Sequence, residues 1–87
     1  MTIYYTSRFR RSYKNLDRQL KSAVQKRVAL FRLNPLDRRL RTHSLHGKLK
    51  DIWSFAVDAR YRILFEFIDS RREQVIFLDI GNHSLYQ

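Results

Sequence analysis

Cysteine is absent from the 87-residue sequence, which also has only two glycines and one proline. Neither disulfides nor a zinc–thiolate centre can stabilise such a chain, so a hydrophobic core has to do so. No apolar run approaches the ~18 residues that a membrane-spanning helix needs, and the N-terminal stretch has no signal-peptide pattern. We therefore expect one soluble, cytoplasmic domain spanning residues 1–87, with no membrane partner.

Acidic residues are the other scarce class, because eight Asp and Glu accompany eighteen Lys and Arg, for a net charge of +10. Residues 1–50 hold fourteen Lys and Arg and two acids, a balance of +12, whereas residues 51–87 hold four Arg and six acids, a balance of −2. This asymmetry indicates a polyanionic partner, nucleic acid first and an acidic protein second.

The most regular part of the chain is the apolar block from Trp53 to Ile80. Its aromatic and β-branched residues predict three consecutive antiparallel strands, with turns at residues 58–60 and 69–74. In the predicted central strand, residues 61–67, the odd positions are large and apolar and form a core face, which leaves Arg62 and Glu66 on the other face. An arginine in such a strand must be paired, exposed or functional. Pairing with Glu66 or a cross-strand acid is the structural alternative to binding an anion.

The part of the chain before this block predicts a short strand at residues 2–6 and helical structure at residues 8–33. Ser7 and Asp17 are candidate N-caps, and Pro35 ends the helical pattern. The pattern fits two helices, or one helix broken near residues 14–15. Residues 36–50 are either an edge strand or a basic loop. The whole is an α+β domain with helices on one face of a mostly antiparallel sheet, and Arg62 points to the open face.

Histidines flank the predicted sheet at positions 43, 46 and 83. An imidazole with an ordinary pKa near ~6.5 is suited to proton transfer. Two imidazoles with a cation between them can cleave RNA without a metal ion: one removes the 2′-OH proton, the other protonates the leaving 5′ oxygen, and the cation stabilises the phosphate. The alternative is that they are ordinary surface histidines. We expect no metal site, since the nearby acids are not arranged around them, and no cofactor.

Basic residues on the predicted helices can bind RNA phosphates, or they can simply keep the surface solvated. They are Arg8, Arg10, Arg11, Lys26 and Arg27. Tyr4, Trp53, Phe55 and Tyr86 are candidate stacking surfaces for bases, although we expect Tyr4 and Phe55 in the core.

Three strings, in this order and at this spacing, carry a resemblance to a known family. They are His43-Ser44-Leu45-His46-Gly47, Trp53-Ser54 with Tyr61-Arg62-Ile63-Leu64-Phe65, and Ile80-Gly81-Asn82-His83-Ser84-Leu85-Tyr86. From about residue 16 to residue 86 the chain resembles the RelE/ParE superfamily of bacterial toxin–antitoxin toxins, on the ribonuclease side that includes RelE, YoeB and YafQ.

The resemblance implies a RelE-like fold, with two N-terminal helices packed on one face of a twisted, mostly antiparallel sheet of four or five strands. It also implies a toxin that cuts mRNA in the ribosomal A site, by 2′-OH attack that leaves a 2′,3′-cyclic phosphate. The implied partners are a cognate antitoxin, the ribosome and mRNA. The toxin would be a monomer or part of a toxin–antitoxin hetero-oligomer.

Residue by residue, the resemblance implies a transition-state arginine at Arg62 and a general acid at His83. His43 falls at the position of the general base, and Tyr86 matches an aromatic residue that places the scissile nucleotide. We expect further RNA contacts from His46, Lys48, Lys50, Arg60, Trp53, Arg8, Arg11 and Lys26.

The chain also departs from the family pattern. Trp53 and Phe55 stand where RelE has catalytic lysines, and Ala56 and Arg60 stand where YafQ has a histidine and an aspartate. The general base is therefore open between His43, His46 and Lys48. The alternative function is a ParE-like gyrase inhibitor, or a non-catalytic basic binding module, but ParE-type relatives lack the ending at residues 81–86.

Overall fold

The computed structural model describes residues 1–47 and 51–82. Strand β1 (Thr2–Tyr5) is followed by helices α1 (Ser7–Lys14) and α2 (Arg18–Leu33) and by a 3₁₀ helix (Arg38–Leu40). Four more strands follow: β2 (His43–Ser44), β3 (Trp53–Ala56), β4 (Arg62–Phe67) and β5 (Gln74–Gly81). His83 and Tyr86, with Lys48 and Lys50, lie outside the described residues. No helix in the described ranges is both long and apolar enough to span a membrane.

Capping side chains define the two helices. The Leu20 amide donates to Asp17 Oδ1 at 2.7 Å, so Asp17 caps α2 as predicted. The cap of α1 is Thr6 rather than Ser7: Thr6 Oγ1 accepts from the Phe9 amide at 2.9 Å, and Ser7 is the first helical residue. Thr6 also donates to the Leu78 carbonyl, which ties this helix start to β5. The prediction of two helices is confirmed.

The sheet has five strands in the order β1-β5-β4-β3-β2, which places β4 at its centre. Strands β2 to β5 pair antiparallel, and β1 pairs parallel with β5. Carboxylates close both predicted turns: Asp58 accepts the amides of Arg60 and Tyr61, and Asp69 accepts those of residues 73 and 74. The predicted α+β architecture is confirmed, and the basic segment contributes the edge strand β2.

The core lies between the helices and one face of the sheet. Phe31 of α2 is fully buried, and its ring centroid lies 4.6 Å from that of Phe55, 5.0 Å from Phe65 and 5.6 Å from Phe77. Phe55 is therefore a core residue, as expected. Tyr4 is not, because 47% of its surface is exposed on the edge strand β1.

The second face of the sheet is less open than predicted. Ser54 pairs with Leu64 across β3 and β4, so both lie on the face opposite Phe65, yet they are only 0% and 8% exposed. On this face of β4, Arg62 and Glu66 at the two ends of the strand are half-buried, and Leu64 between them is buried. The end at Arg62 is the one that carries candidate chemistry.

Candidate functional site

Arg62 opens strand β4 and pairs with Ala56 on one side and Gly81 on the other. Its side chain is half-buried, and the Nη1 atom is fully buried with no hydrogen-bond partner among the described residues. No ion pair within residues 1–47 and 51–82 joins it to Glu66 or to any other acid. A buried donor without an acceptor is costly in a folded protein. The simple structural explanation for this arginine, an internal salt bridge, therefore fails, and an anionic ligand would supply the missing acceptor.

Arg62 lines a cleft of about 320 Å³ with three other arginines, Arg27, Arg39 and Arg41. The one acid in this lining is Asp58, whose Oδ1 accepts the backbone amides of Arg60 and Tyr61 at 2.8 and 2.7 Å. Four arginines thus line a cleft whose one carboxylate already accepts two backbone amides of a turn. Such a cleft attracts anions, and the planar N–H groups of arginine suit phosphate oxygens.

Two of these arginines are held by neighbouring groups. Arg39 makes a bidentate contact with Asp37, Nε to Oδ1 at 3.0 Å and Nη2 to Oδ2 at 2.9 Å. These hydrogen bonds and the Arg39 amide lower the pKa of Asp37 to about 2. Arg27 reaches from α2 and donates from Nη1 to the Arg39 carbonyl at 3.1 Å. The 3₁₀ helix and α2 are therefore joined at the wall of the cleft.

His43 lies in β2 on the same face of the sheet as Arg62, because it pairs with Ser54, which pairs with Leu64. Its Nδ1 lies 2.9 Å from the carbonyl oxygen of Arg41. A carbonyl only accepts, so Nδ1 carries the hydrogen, and Nε2 of the neutral ring keeps its lone pair. Two strand spacings and two residues separate the Cα atoms of His43 and Arg62 by about 12 Å. The two side chains therefore rise from the same face of the sheet, two strands apart.

The other predicted RNA-binding residues do not all gather at this cleft. Arg60 is exposed in the adjoining β3–β4 turn, and His46 is exposed after β2. Trp53 lies on the core side of the sheet, where the Arg72 guanidinium sits 5.2 Å from its ring centroid. The structure thus places Arg60 near Arg62 and Trp53 on the opposite face.

The helix residues Arg8, Arg11 and Lys26 are all exposed. Arg8 Nε lies 3.7 Å from Asp79 Oδ2, and Ser12 donates to the other oxygen of the same carboxylate at 2.7 Å. Arg8 therefore has a structural contact of its own. None of the three lines the cleft around Arg62.

From the sequence, Arg27 is predicted only as one of several basic residues on the helices, and Arg39 and Arg41 are not predicted as site residues. A usable signal existed for Arg27. It stands three residues after Val24 and four before Phe31, both buried, so it lies on the core-facing side of α2. An arginine on this side of the helix must extend its guanidinium group to a polar site at the edge of the core. Arg39 and Arg41 carry no comparable signal in the sequence.

A second concave surface lies on the helix side of the molecule. It is a groove of about 490 Å³ between α1 and α2, lined mainly by apolar residues with arginines at its margin. Its lining includes Phe9, Tyr13, Val24, Val28, Ala29 and Arg32. The groove and the arginine cleft share none of their lining residues.

Several solved structures similar to this chain are described as toxins. YafQ from Escherichia coli superposes with a TM-score of 0.79 at 18% identity, over 98% of this chain and 97% of that one. A YoeB/ParE toxin from Agrobacterium tumefaciens gives 0.79 at 15% identity, over 95% and 99%. The toxin–antitoxin complex RelBE2 from Mycobacterium tuberculosis gives 0.68 at 26% identity, over 94% and 96%. No protein-family model matches the sequence, and no curated protein is significantly similar to it.

Two helices on a five-stranded mixed sheet, matched over nearly the whole length of these toxins, are the fold of the RelE/ParE superfamily. The resemblance seen in the sequence strings is confirmed at this level. Among the similar structures, RelBE2 and the DinJ–YafQ pair were solved as toxin–antitoxin complexes.

Proposed function

We propose that this chain is the toxin of a toxin–antitoxin system and acts as an endoribonuclease on mRNA at the ribosome. The observation that carries the proposal is Arg62, whose buried Nη1 has no partner within residues 1–47 and 51–82 and lies in an arginine-lined cleft. The sheet face that it shares with His43 supports the same chemistry. The fold shared with YafQ and RelBE2 supports the class of protein.

In the proposed reaction, Nε2 of His43 removes the proton from the 2′-OH of the nucleotide before the cut. The 2′ oxygen attacks the adjacent phosphorus, and the bond from phosphorus to the 5′ oxygen breaks, leaving a 2′,3′-cyclic phosphate and a free 5′-OH. Arg62 stabilises the added negative charge on the phosphate oxygens, which is worth most when the donor is already in place. His83, which follows Gly81 and Asn82 in the sequence, would protonate the leaving 5′ oxygen, and Tyr86 would position the scissile nucleotide.

A cleavage assay tests this mechanism. Purified protein is added to ribosomes that hold a synthetic mRNA, and the ends of the products are identified by mass. We expect a 2′,3′-cyclic phosphate end, and no cut when the nucleotide before the scissile bond has a 2′-deoxy sugar. Arg62→Ala and His83→Ala should each lower the rate strongly, whereas Arg71→Ala, in the β4–β5 turn, should not. Wild-type rates in the double variant Arg62→Ala/His83→Ala would contradict the mechanism.

The cleavage assay, together with the response of cells that express the protein, distinguishes the ribonuclease from the alternative function. A ParE-like gyrase inhibitor would leave mRNA intact and would arrest growth with DNA damage rather than with loss of protein synthesis. Intact mRNA together with a DNA-damage response on expression would therefore overturn the ribonuclease proposal while keeping the toxin class.

We further propose that an antitoxin uses the apolar groove between α1 and α2. A groove of about 490 Å³ lined by buried Phe9 and by the partly exposed Tyr13 and Val28 is suited to the apolar side of an amphipathic helix. Arg10 and Arg32 in its lining would favour an acidic partner. Two similar toxins were solved with an antitoxin bound, which supports a partner of this kind.

A further inference from the structure

The arginine cleft holds more positive charge than one scissile phosphate uses. Arg62 is sufficient to stabilise that group, yet Arg27, Arg39 and Arg41 line the same cleft. Arg39 is balanced by Asp37, so Arg27 and Arg41 remain without an ion pair in the described part of the chain. Guanidinium groups that share one cleft repel each other, and a bound anion removes this cost.

The cleft also has room for a larger anion. Its volume of about 320 Å³ is roughly ten times the ~30 Å³ that one water molecule occupies in the liquid. More than one phosphate group of a nucleic-acid strand can therefore enter it.

Hydrogen bonds hold the Arg27 side chain and the Arg41 backbone in place. The Arg27 guanidinium is fixed by its hydrogen bond to the Arg39 carbonyl, and Arg39 is fixed in turn by Asp37. Arg41 has a φ of 52° and ψ of 40°, a left-handed conformation that is uncommon for any residue except glycine. This conformation follows the 3₁₀ helix and places the Arg41 carbonyl against His43 Nδ1. A cation that is already in place, as the Arg27 guanidinium is, binds a phosphate without first losing conformational entropy.

We propose that Arg27 and Arg41 form a second phosphate subsite, which binds the phosphodiester next to the one at Arg62. Arg39 positions Arg27 through its carbonyl oxygen. This inference rests on the proposed function, because it takes the ligand to be a single-stranded RNA. It adds that the enzyme recognises two successive phosphates of the strand, one to be cut and one to be held.

The backbone of Arg41 offers a specific variant. In Arg41→Gly the guanidinium is lost, while the left-handed conformation and the carbonyl that holds His43 are retained, since glycine adopts this conformation freely. Arg72 is a matched control. It is also an arginine with positive φ, 58°, but lies in the β4–β5 turn away from the cleft, so Arg72→Gly removes the same charge from the same kind of backbone.

Binding is measured first, by fluorescence anisotropy with a 2′-O-methyl RNA that cannot be cut. In a series of these RNAs, one linkage at a time is made a neutral methylphosphonate. For the wild type we expect Kd to depend on two adjacent linkages. Making either of them neutral should raise Kd about tenfold, because a hydrogen bond to a charged phosphate is lost. Arg41→Gly should raise Kd about tenfold on the unmodified RNA. For this variant, making one of the two linkages neutral should cause no further rise in Kd.

Arg41→Gly should also lower the slope of log Kd against log salt by about 0.7, the value for one phosphate contact in a single strand. Arg72→Gly should keep both the slope and the two sensitive linkages of the wild type. If Arg41→Gly binds RNA like the wild type, or stays sensitive to the same two linkages, the subsite is wrong.

A parallel cleavage assay on ribosomes separates this outcome from the proposed function. The wild-type protein could bind RNA with a Kd that depends on two adjacent linkages and yet cut no mRNA. That result would contradict the ribonuclease mechanism and would still support the subsite. Wild-type protein that cuts mRNA, with Arg41→Gly cutting at the same rate and with the same linkage preference, would contradict the subsite and keep the mechanism.

Discussion

The Nδ1 atom of His43 lies 2.9 Å from the carbonyl oxygen of Arg41. This contact fixes which ring nitrogen carries the hydrogen and leaves Nε2 free to accept a proton on the sheet face that also carries Arg62. It gives a physical reason to choose between the candidate bases. His46, three residues along, is exposed, and the structure records no hydrogen bond of this kind for its ring.

The first prediction is that His43, and not His46, is the general base. His43→Ala should lower the rate of mRNA cleavage by about 10²–10⁴, the usual range for a lost general base. His46→Ala should change the rate by no more than about threefold, since a surface contact to RNA is weak. Single-turnover rates on programmed ribosomes measure both. A large loss in His46→Ala with little loss in His43→Ala would reverse the assignment.

The second prediction concerns the cost of keeping Arg62 unpaired. Arg62→Met replaces a half-buried guanidinium, whose buried Nη1 has no partner among the described residues, with an apolar side chain of similar length. We expect the free energy of unfolding to rise by about 1 kcal/mol, because the unsatisfied donor is removed, while the cleavage rate falls by about 10²–10³. Urea denaturation and the ribosome assay give the two values.

Arg62→Lys is the companion variant, and it should not restore the rate, because an ammonium group cannot make the two parallel contacts of a guanidinium. A clear loss of stability in Arg62→Met would mean that the arginine has a structural partner after all.

The third prediction tests the aromatic centre of the core. Phe31→Ala removes a ring that contacts Phe55, Phe65 and Phe77. We expect a loss of about 3–5 kcal/mol in the free energy of unfolding, which is a large part of the total for a domain of this size. Leu33→Ala, on the same helix at a position that is 85% exposed, should cost less than about 0.5 kcal/mol. Urea unfolding of both variants compares them directly.

Local patterns predicted most of this fold. The helix pair follows from helical spacing and the Asp17 cap, and the three-stranded block follows from alternation and its turn residues. Two features had no local signal. Strand β1 pairs in parallel with β5, more than seventy residues away, and β5 has an irregularity opposite Leu64 and Phe65. This irregularity lets Phe77 and Ile80, three positions apart, both be buried, which strict alternation would forbid.

The candidate site was only partly predictable for the same reason. Arg62 stands out because a charged residue interrupts an apolar pattern, and His43 because it flanks the predicted sheet and falls in one of the strings that carry the family resemblance. Arg39 and Arg41 belong to a basic segment without periodicity, and their place at the cleft depends on a 3₁₀ helix followed by one left-handed residue. Tertiary geometry of this kind leaves no pattern in the sequence.

The fourth prediction is a pH dependence centred on Asp37. Its pKa is lowered from 3.8 to about 2 by the hydrogen bonds from Arg39. A carboxyl with a depressed pKa in the folded state stabilises the fold above its unfolded pKa and loses this effect as the pH falls through the folded value. The stability difference between wild type and Asp37→Asn should therefore be constant above pH 4, shrink between about 4 and 2, and vanish below.

Thermal unfolding of the two proteins across this pH range measures that difference. A difference that stays the same down to pH 2 would mean that the Asp37–Arg39 pair does not contribute to stability. Asp37→Asn should also weaken RNA binding, since Arg39 would no longer be held in position to anchor Arg27.

The last prediction separates the antitoxin surface from the RNA surface. Ala29 is exposed on α2 within the apolar groove, so Ala29→Glu places a charge where we propose that an apolar helix docks. We expect this variant to lose capture of the protein encoded by the adjacent reading frame by at least tenfold, because a carboxylate would be desolvated in an apolar contact and would repel an acidic partner. Cleavage of mRNA should stay at the wild-type rate, since Ala29 does not line the arginine cleft.

Ser22→Glu, exposed on the same helix but outside the groove, is the matched control and should leave both activities unchanged. If Ala29→Glu still captured the antitoxin with wild-type affinity, the partner would have to bind elsewhere, and the basic face around Arg62 would be the next surface to test.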